Sequence, residues 1–261
     1  MILDEIVAVK HREVTGAKQR LPLEELQRRV HGHRAQRHFF EALRDSPHRP
    51  ALVAELKRKS PSRGMLRERF DPVSLAQQLQ EAGASALSVL TDEQFFGGAL
   101  EFLRDVQQFT ELPVLRKDVI VDPYQIYEAA YQLADAVLLI VQVLPAAQLR
   151  EALRLAETLG MEALVEVHAE DELETAVRIG ARVIGINQRD LRTFTLQADT
   201  AARLVPKIPA GTLIVAESGI QTSDDVRRLR DLGVRAVLVG EALMTSPDVA
   251  AKVHELFRGI W

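Results

Sequence analysis

The sequence predicts an α/β fold, a closed (β/α)8 or TIM barrel behind an N-terminal helical extension, and three observations carry that prediction. An amphipathic helix, a glycine and a run of valine, isoleucine and leucine recur as one unit, in LQEAGASALSVL (79 to 90), AETLGMEALVEV (156 to 167), AVRIGARVIGIN (176 to 187) and LRDLGVRAVLVG (229 to 240). Eight apolar runs of strand length can be counted, and their starts lie roughly 20 to 35 residues apart, room for a strand and a returning helix. Polar residues stand where nearly every run ends.

In chain order, the first fifty residues hold no strand signal, while LPLEELQRRV and RHFFEALRD have helical apolar spacing. One or two helices are therefore expected before the barrel, covering its bottom or rim. Strands follow near 51 to 57, 86 to 90, 113 to 116, 136 to 141, 162 to 167, 183 to 186, 213 to 216 and 235 to 239. Continuous apolar runs suit strands of a parallel sheet buried on both faces, and in the four quoted units a glycine just past the helix supplies its left-handed cap. Eight even units fit a closed barrel better than an open doubly wound sheet with a switch point. No linker rich in proline, glycine or serine interrupts them, so residues 1–261 read as one barrel domain, with 1–50 as its extension.

Composition excludes several function classes. The 33 basic and 37 acidic residues are interspersed and sum to a net charge of -4, which leaves no basic field for nucleic acid. The chain has no cysteine, hence no disulfide, thiol nucleophile or cysteine-ligated metal. No apolar run approaches the roughly 18 residues of a membrane span, and MILDEIVAVKHREV lacks the basic start and apolar core of a signal peptide. A cytoplasmic protein without nucleic-acid or membrane partners is expected, with a monomer as the working expectation. In HGHRAQRH, His31 and His33 diverge on a helix and His38 lies far from the strand ends, so no metal is expected; GINQRD lacks the G-x-G-x-x-G of a dinucleotide site, so no cofactor is either.

In such a barrel the C-terminal strand ends carry the active site. The first run ends in Glu55 and Lys57, two apart and so on one face, and the second runs into Thr91, Asp92 and Glu93. The third ends in Lys117, the fifth in Glu166, the sixth in Asn187 with Arg189, the seventh in Glu217, Ser218 and Gly219, and the eighth in Gly240 and Glu241. Any one of these reads alone as a solvated rim residue; together they place lysines, carboxylates, an amide and an arginine at one mouth. His168, two after Glu166, can share its face as a carboxylate and imidazole pair. AESGI (216 to 220) and VGEAL (239 to 243) set glycines where strands turn into helices, so that backbone N–H groups converge on an anion, with a hydroxyl from Ser218.

AELKRKSPS (54 to 62), TDEQFFGG (91 to 98), LRKD (115 to 118), VEVH (165 to 168), GINQRDL (185 to 191), AESGI and VGEALM (239 to 244) together resemble the indole-3-glycerol phosphate synthases of tryptophan biosynthesis, over essentially the whole chain. ILDEIVAVKHREV resembles that family's helical extension, and no second barrel follows as in fused forms. The resemblance implies a lyase that closes the indole ring of 1-(2-carboxyphenylamino)-1-deoxyribulose 5-phosphate with loss of carbon dioxide and water. It implies Lys117, Glu166, Lys57 and Glu55 as catalytic, with Asn187, Arg189, Ser218 and Glu217 lining the site. By the same resemblance Gly219, Gly240 and Glu241 would hold the phosphate together with Lys57 and Ser218, Glu241 through its backbone N–H. Lys117 is the expected acid at the ribulosyl carbonyl, whereas Glu166, Glu55 and Lys57 share the remaining proton transfers in an order left open. Two departures stand out. Gln188 replaces a common asparagine, and Val119 replaces a common phenylalanine, leaving Phe95, Phe96, Leu138 and Leu191 as apolar walls for the anthranilate ring. The competing readings are a phosphosugar isomerase on the same barrel, a Schiff-base aldolase, and a phosphate-ligand-binding barrel without catalysis.

Overall fold

The computed structural model describes residues 2–32, 35, 37–190, 193 and 195–261, and in it eight parallel strands close into a barrel. Leu191, expected as an apolar wall, and His33 lie outside the described residues. The strands are β1 (Ala51–Leu56), β2 (Ala86–Leu90), β3 (Val114–Lys117), β4 (Ala136–Ile140), β5 (Glu162–Val167), β6 (Val183–Asn187), β7 (Leu213–Glu217) and β8 (Ala236–Val239). Their order around the ring is β1-β8-β7-β6-β5-β4-β3-β2, closed by Ala51 to Ala54 against Ala236 to Val239. Both faces are covered, so all but the terminal residues of these strands are buried.

Apolarity alone ends three of the runs one residue early. Lys117, Asn187 and Glu217 belong to the ladders, with Leu90 opposite Lys117 and Asn187 opposite Glu217. The strand itself therefore fixes the backbone of each of these polar residues.

The returning helices carry their start signals in the sequence. Asp71 caps α4 (Pro72–Glu81) and is followed by proline in its first turn; Asp122 and Gln125 form a reciprocal capping box on α6 (Pro123–Tyr131); Thr222 and Asp225 do the same for α10 (Ser223–Asp231). Gly180, at φ 89°, ends α8 (Glu170–Ile179) in the left-handed conformation that glycine adopts without strain.

The extension differs from expectation in number and place. Among the described residues it forms three helices, α1 (Ile2–Arg20), α2 (Leu23–Arg29) and α3 (Phe39–Arg44). The last of these lies at the bottom as expected: Phe40 N–H donates to Glu162 at the start of β5 (2.6 Å), and Arg235, just before β8, donates to the carbonyls of Arg44, Ser46 and His48. Trp261 stacks on His48 and Phe257 there and donates to Pro50 O, away from the strand ends. By contrast α1 crosses the opposite, C-terminal mouth. Its Leu3 and Ile6 line the cavity there, Lys10 is 3% exposed between Asp92 (2.8 Å) and Asp118 (3.0 Å), and Lys18 meets Asp122 at 2.7 Å. The helix is charge-rich, and what turns it toward the mouth is the pair of acidic residues standing past β2 and β3. Segment 58 to 69 contains two short antiparallel strands, Lys59–Ser60 and Gly64–Met65, and is tied to the loop after β2 by Lys59 N–H to Phe96 O and Lys59 Nζ to Gln94 O. Among the described residues no helix is long and apolar enough to cross a membrane.

Candidate active site

Alternation along the strands sends every second side chain inward, and at the mouth those positions are Glu55, Lys117, Leu138, Ile140, Glu166, Asn187, Glu217 and Leu238. With Lys57 they line one cleft of about 1080 Å³ of unfilled space counting its open mouth, enough for a phosphorylated ligand of small-molecule size. The expected charged residues thus converge.

Two ion pairs organise the floor. Lys57 Nζ lies 2.5 Å from Glu55 Oε1, and Lys117 Nζ lies 3.3 Å from Glu166 Oε2 and 3.4 Å from Glu217 Oε2. Burial disfavours the Lys117 charge, but the carboxylates of Glu166, Glu217 and Glu55 outweigh it and hold the ammonium well above the usual lysine range. One ammonium does not keep two buried carboxyls ionised. Burial raises both carboxyls; for Glu166 the charges of Lys117 and His168 and a hydrogen bond from Asn187 reverse it, leaving the group below its usual range. Glu217 is pushed up to about 8, by burial first and then by Glu166 and Glu55, against the pull of Lys117. The ion pair that persists at neutral pH is Lys117 with Glu166, and Glu217 stays protonated.

Glycine makes room for two of these carboxyls. A Cβ on Gly240 would overlap Glu55 Oε1, and a Cβ on Gly185 would overlap Glu217 Oε1. Gly240 has φ -124°, which other residues adopt freely, so it is required for space and not for its turn. Gly219 is required on both counts, with φ 72° and Leu196 packed where its side chain would go. Ser218 precedes it at φ 65°, left-handed without being glycine. Its carbonyl accepts from Gln188 Nε2 at 2.8 Å, so Gln188 spends its amide on the loop after β7 and stands beside the cleft, not in it.

Ser218, Gly219, Gly240 and Glu241 line the end of the cleft nearest Lys57, with Ser60 and Ser62 from the loop after β1. The Glu241 side chain does not face this end bare: Arg63 Nε lies 3.1 Å and Arg189 Nη2 3.5 Å from its carboxylate. Arg189 is further fixed by its backbone N–H on Asn187 Oδ1, 2.9 Å.

Of the expected apolar walls, Phe96 and Leu138 line the cleft and Phe95 does not; Val119 lines it beside Asp118. Leu3, Ile6, Leu90, Ile140 and Leu238 supply wall that sequence reasoning missed. The missed network behind it is polar. Asp92 Oδ1 accepts from Phe95 N–H (2.6 Å) and Phe96 N–H (3.1 Å), while Asp118 accepts from Thr91 and Arg116. Lys10 joins both aspartates, so α1, Phe96 and the residue after Lys117 are fixed by one buried cluster. The sequence signal was Asp92 and Asp118 beside strand ends, with Lys10, the cation that joins them, far away in the chain. His168 does meet Glu166, Nε2 to Oε1 at 3.4 Å.

The protonated Glu217 leaves the floor with matched charges, two ammoniums and two carboxylates. An anionic ligand meets a further negative charge once Glu217 ionises, so KM is expected to rise as pH passes about 8. Glu217→Gln, neutral at every pH, should flatten that rise while keeping the KM found at pH 7. Steady-state KM measured from pH 6 to 9.5 on both proteins checks this.

The sequence profile of the family described as indole-3-glycerol phosphate synthase matches residues 3–256. Among curated proteins, the chain is 46% identical to the indole-3-glycerol phosphate synthase of Polaromonas naphthalenivorans over 98% of each chain. It is 44% identical to that of Carboxydothermus hydrogenoformans over 95% of this chain and 96% of the other. Among solved structures, the N-acetylmannosamine-6-phosphate 2-epimerase of Clostridium perfringens superposes with a TM-score of 0.64 over 84% of this chain and 96% of the other, at 14% identity, a likeness of fold.

Proposed function

Because the chain belongs to the indole-3-glycerol phosphate synthase family, whose members are decarboxylating lyases, we propose that the buried Lys117, Glu166 and Glu217 cluster carries the proton transfers of ring closure. The single observation behind this reading is one ammonium held between a carboxylate and a neutral carboxyl at the centre of the cleft.

Lys117 donates to the ribulosyl carbonyl oxygen as the carboxyl-bearing ring carbon attacks. Its raised pKa does not block this, because an alkoxide is a stronger base than a stabilised amine, and the ammonium polarises the carbonyl beforehand. Departure of carbon dioxide restores the aromatic ring. Glu166, which takes up a proton once the Lys117 charge is spent, then delivers it to the departing hydroxyl and is again a carboxylate, and the Lys117 amine takes the ring-side proton and returns to ammonium. Glu55 orients Lys57 toward the phosphate, which the backbone N–H groups around Gly219 and Gly240 receive with Ser218. Asn187 holds Glu166 and Arg189 in place, and Phe96, Leu138, Leu3 and Ile6 enclose the anthranilate ring.

The test is to mix the protein with 1-(2-carboxyphenylamino)-1-deoxyribulose 5-phosphate, without added metal or cofactor, and follow indole fluorescence. Product is expected, and a flat trace from folded protein with substrate bound would reject this assignment. Val119→Phe should lower KM by about threefold through added ring contact without raising kcat, since the ring position takes no part in proton transfer. The phosphosugar isomerase and non-catalytic readings lose ground to the paired lysines, which neither requires.

A further inference from the structure

Ring closure with decarboxylation consumes a proton. Two protons go onto substrate oxygen, one at the carbonyl and one at the leaving hydroxyl, and one comes back from the ring side, while the ionised carboxylate leaves as neutral carbon dioxide. A substrate filling the cleft separates the site from water at its mouth, so the extra proton has to be present before the substrate arrives.

A second, polar cavity lies behind the floor, lined by Gln142, His168, Glu172, Asn187, Asp190 and Arg203 among others. His168 lines this second cavity and lies beside Glu166, which lines the cleft, while Asn187 lines both. Its backbone N–H (2.7 Å) and Nδ1 (3.2 Å) both meet Glu172 Oε2, and Glu172 Oε1 accepts from Gln142 Nε2 at 2.7 Å, which fixes the ring. Its other nitrogen, Nε2, lies 3.4 Å from Glu166 Oε1 as a charge pair, and among the described residues neither atom is held by a hydrogen bond. The charged or titratable groups around the ring are Glu166 from its own strand, Glu172 and Asp171 from α8, Glu217 from β7, and Asp190 and Arg203 on the far side of the cavity.

We propose that His168 is the proton store of this enzyme, a positioning residue that acts through Glu166: its imidazolium hands the Nε2 proton to Glu166 Oε1 during each turnover and is reloaded from water after product leaves. In the transfer the Nε2–H bond breaks with its electrons staying on nitrogen, an O–H bond forms on Glu166, and Nδ1–H stays on Glu172. Glu166 passes the proton to the departing hydroxyl, which leaves as water, and is again a carboxylate. The trigger is built in. What keeps Glu166 ionised against its burial is first the Lys117 charge, and that charge disappears when Lys117 protonates the carbonyl oxygen. Glu166 then takes a proton from the nearest donor. Against burial, the hydrogen bond to Glu172 and the charge of Glu166 raise the pKa of the imidazole, which favours its charged form.

The inference rests on the reading of Glu166 as the second acid, and the experiment separates the two. In a single turnover followed by indole fluorescence and by a pH indicator, ahead of the slow hydration of carbon dioxide, the wild-type protein should form product before it takes a proton from bulk water. Raising the starting pH until the imidazole is neutral should abolish that lag. His168→Gln, which keeps an N–H toward Glu166 but stores no proton, should slow product formation by about tenfold or more and make uptake coincide with it. Simultaneous product and uptake in the wild type, or an unchanged lag in His168→Gln, would overturn the store. The wild-type lag is readable without any variant. Glu166→Gln should lose the product burst altogether; a full burst would instead reject Glu166 as the second acid, and the store with it.

Discussion

Lys117→Ala is expected to lower kcat for indole formation by about 1,000-fold or more while leaving the affinity for inorganic phosphate within about twofold. The two effects separate because Lys117 stands against Glu166 and Glu217, whereas the phosphate site proposed above uses Lys57, Ser218, Gly219 and Gly240, which line the same cleft. The variant should still fold. Glu166 stays ionised mainly because of Lys117, so without the ammonium it protonates and no unpaired charge is left buried. Single-turnover fluorescence and phosphate protection against thermal unfolding read the two quantities. A wild-type rate in the folded variant would remove Lys117 from the chemistry, and loss of phosphate affinity in step with rate would mean that the site had collapsed.

Lys10→Met should have the largest effect on stability, about 3 to 5 kcal/mol, the cost of leaving part of a buried ionic cluster unpaired. Lys10 is buried against Asp92 and Asp118, and the remaining cation of the cluster, Arg116, reaches Asp118 and Glu128. Asp92 would keep two backbone donors and no counter-charge. Burial opposes the Lys10 charge, yet the two aspartates together raise its pKa, so the native cluster is ionic across the neutral range. For a chain of this length the melting temperature should fall by about 10 °C, measured by calorimetry. Activity should suffer in KM more than in kcat, because α1 brings Leu3 and Ile6 to the cleft while Lys117 keeps its own partners. An unchanged melting temperature would mean that α1 is held by its apolar contacts alone.

The barrel was legible in the sequence because its strands are buried on both faces. Such strands read as unbroken apolar runs, and four of the turns from helix to strand are marked with glycine, at Gly83, Gly160, Gly180 and Gly233. The floor was legible for a related reason: an inward-facing strand position past the core is either apolar or used, so Glu55, Lys117, Glu166, Asn187 and Glu217 stood out at the ends of their runs. The place of α1 was not legible. Leu3, Ile6, Val9 and Val14 announce a helix with one apolar stripe, but nothing local says which surface that stripe covers. Lys10 looks like one more solvated lysine until Asp92 and Asp118 are brought to it through space. At Gly240 the sequence suggested a backbone exposed to an anion, and what it did not show is the Glu55 carboxylate lying against the glycine, which leaves no space for a side chain. His168 was visible as a neighbour of Glu166, and only the cavity behind it and the grip of Glu172 give that pairing a direction.

The overlap of Gly240 with Glu55, and of Gly185 with Glu217, also limits how this protein can change over generations. Each carboxyl occupies the volume that a side chain on its glycine would fill, so each pair behaves as a single character divided between two distant codons. A single exchange at either glycine meets a clash, and a single shortening of either carboxyl opens a hole in the floor. The effects of changing both partners are therefore not the sum of the separate effects. Change at any of these four positions is therefore constrained by the volume its partner fills, in addition to any demand of charge.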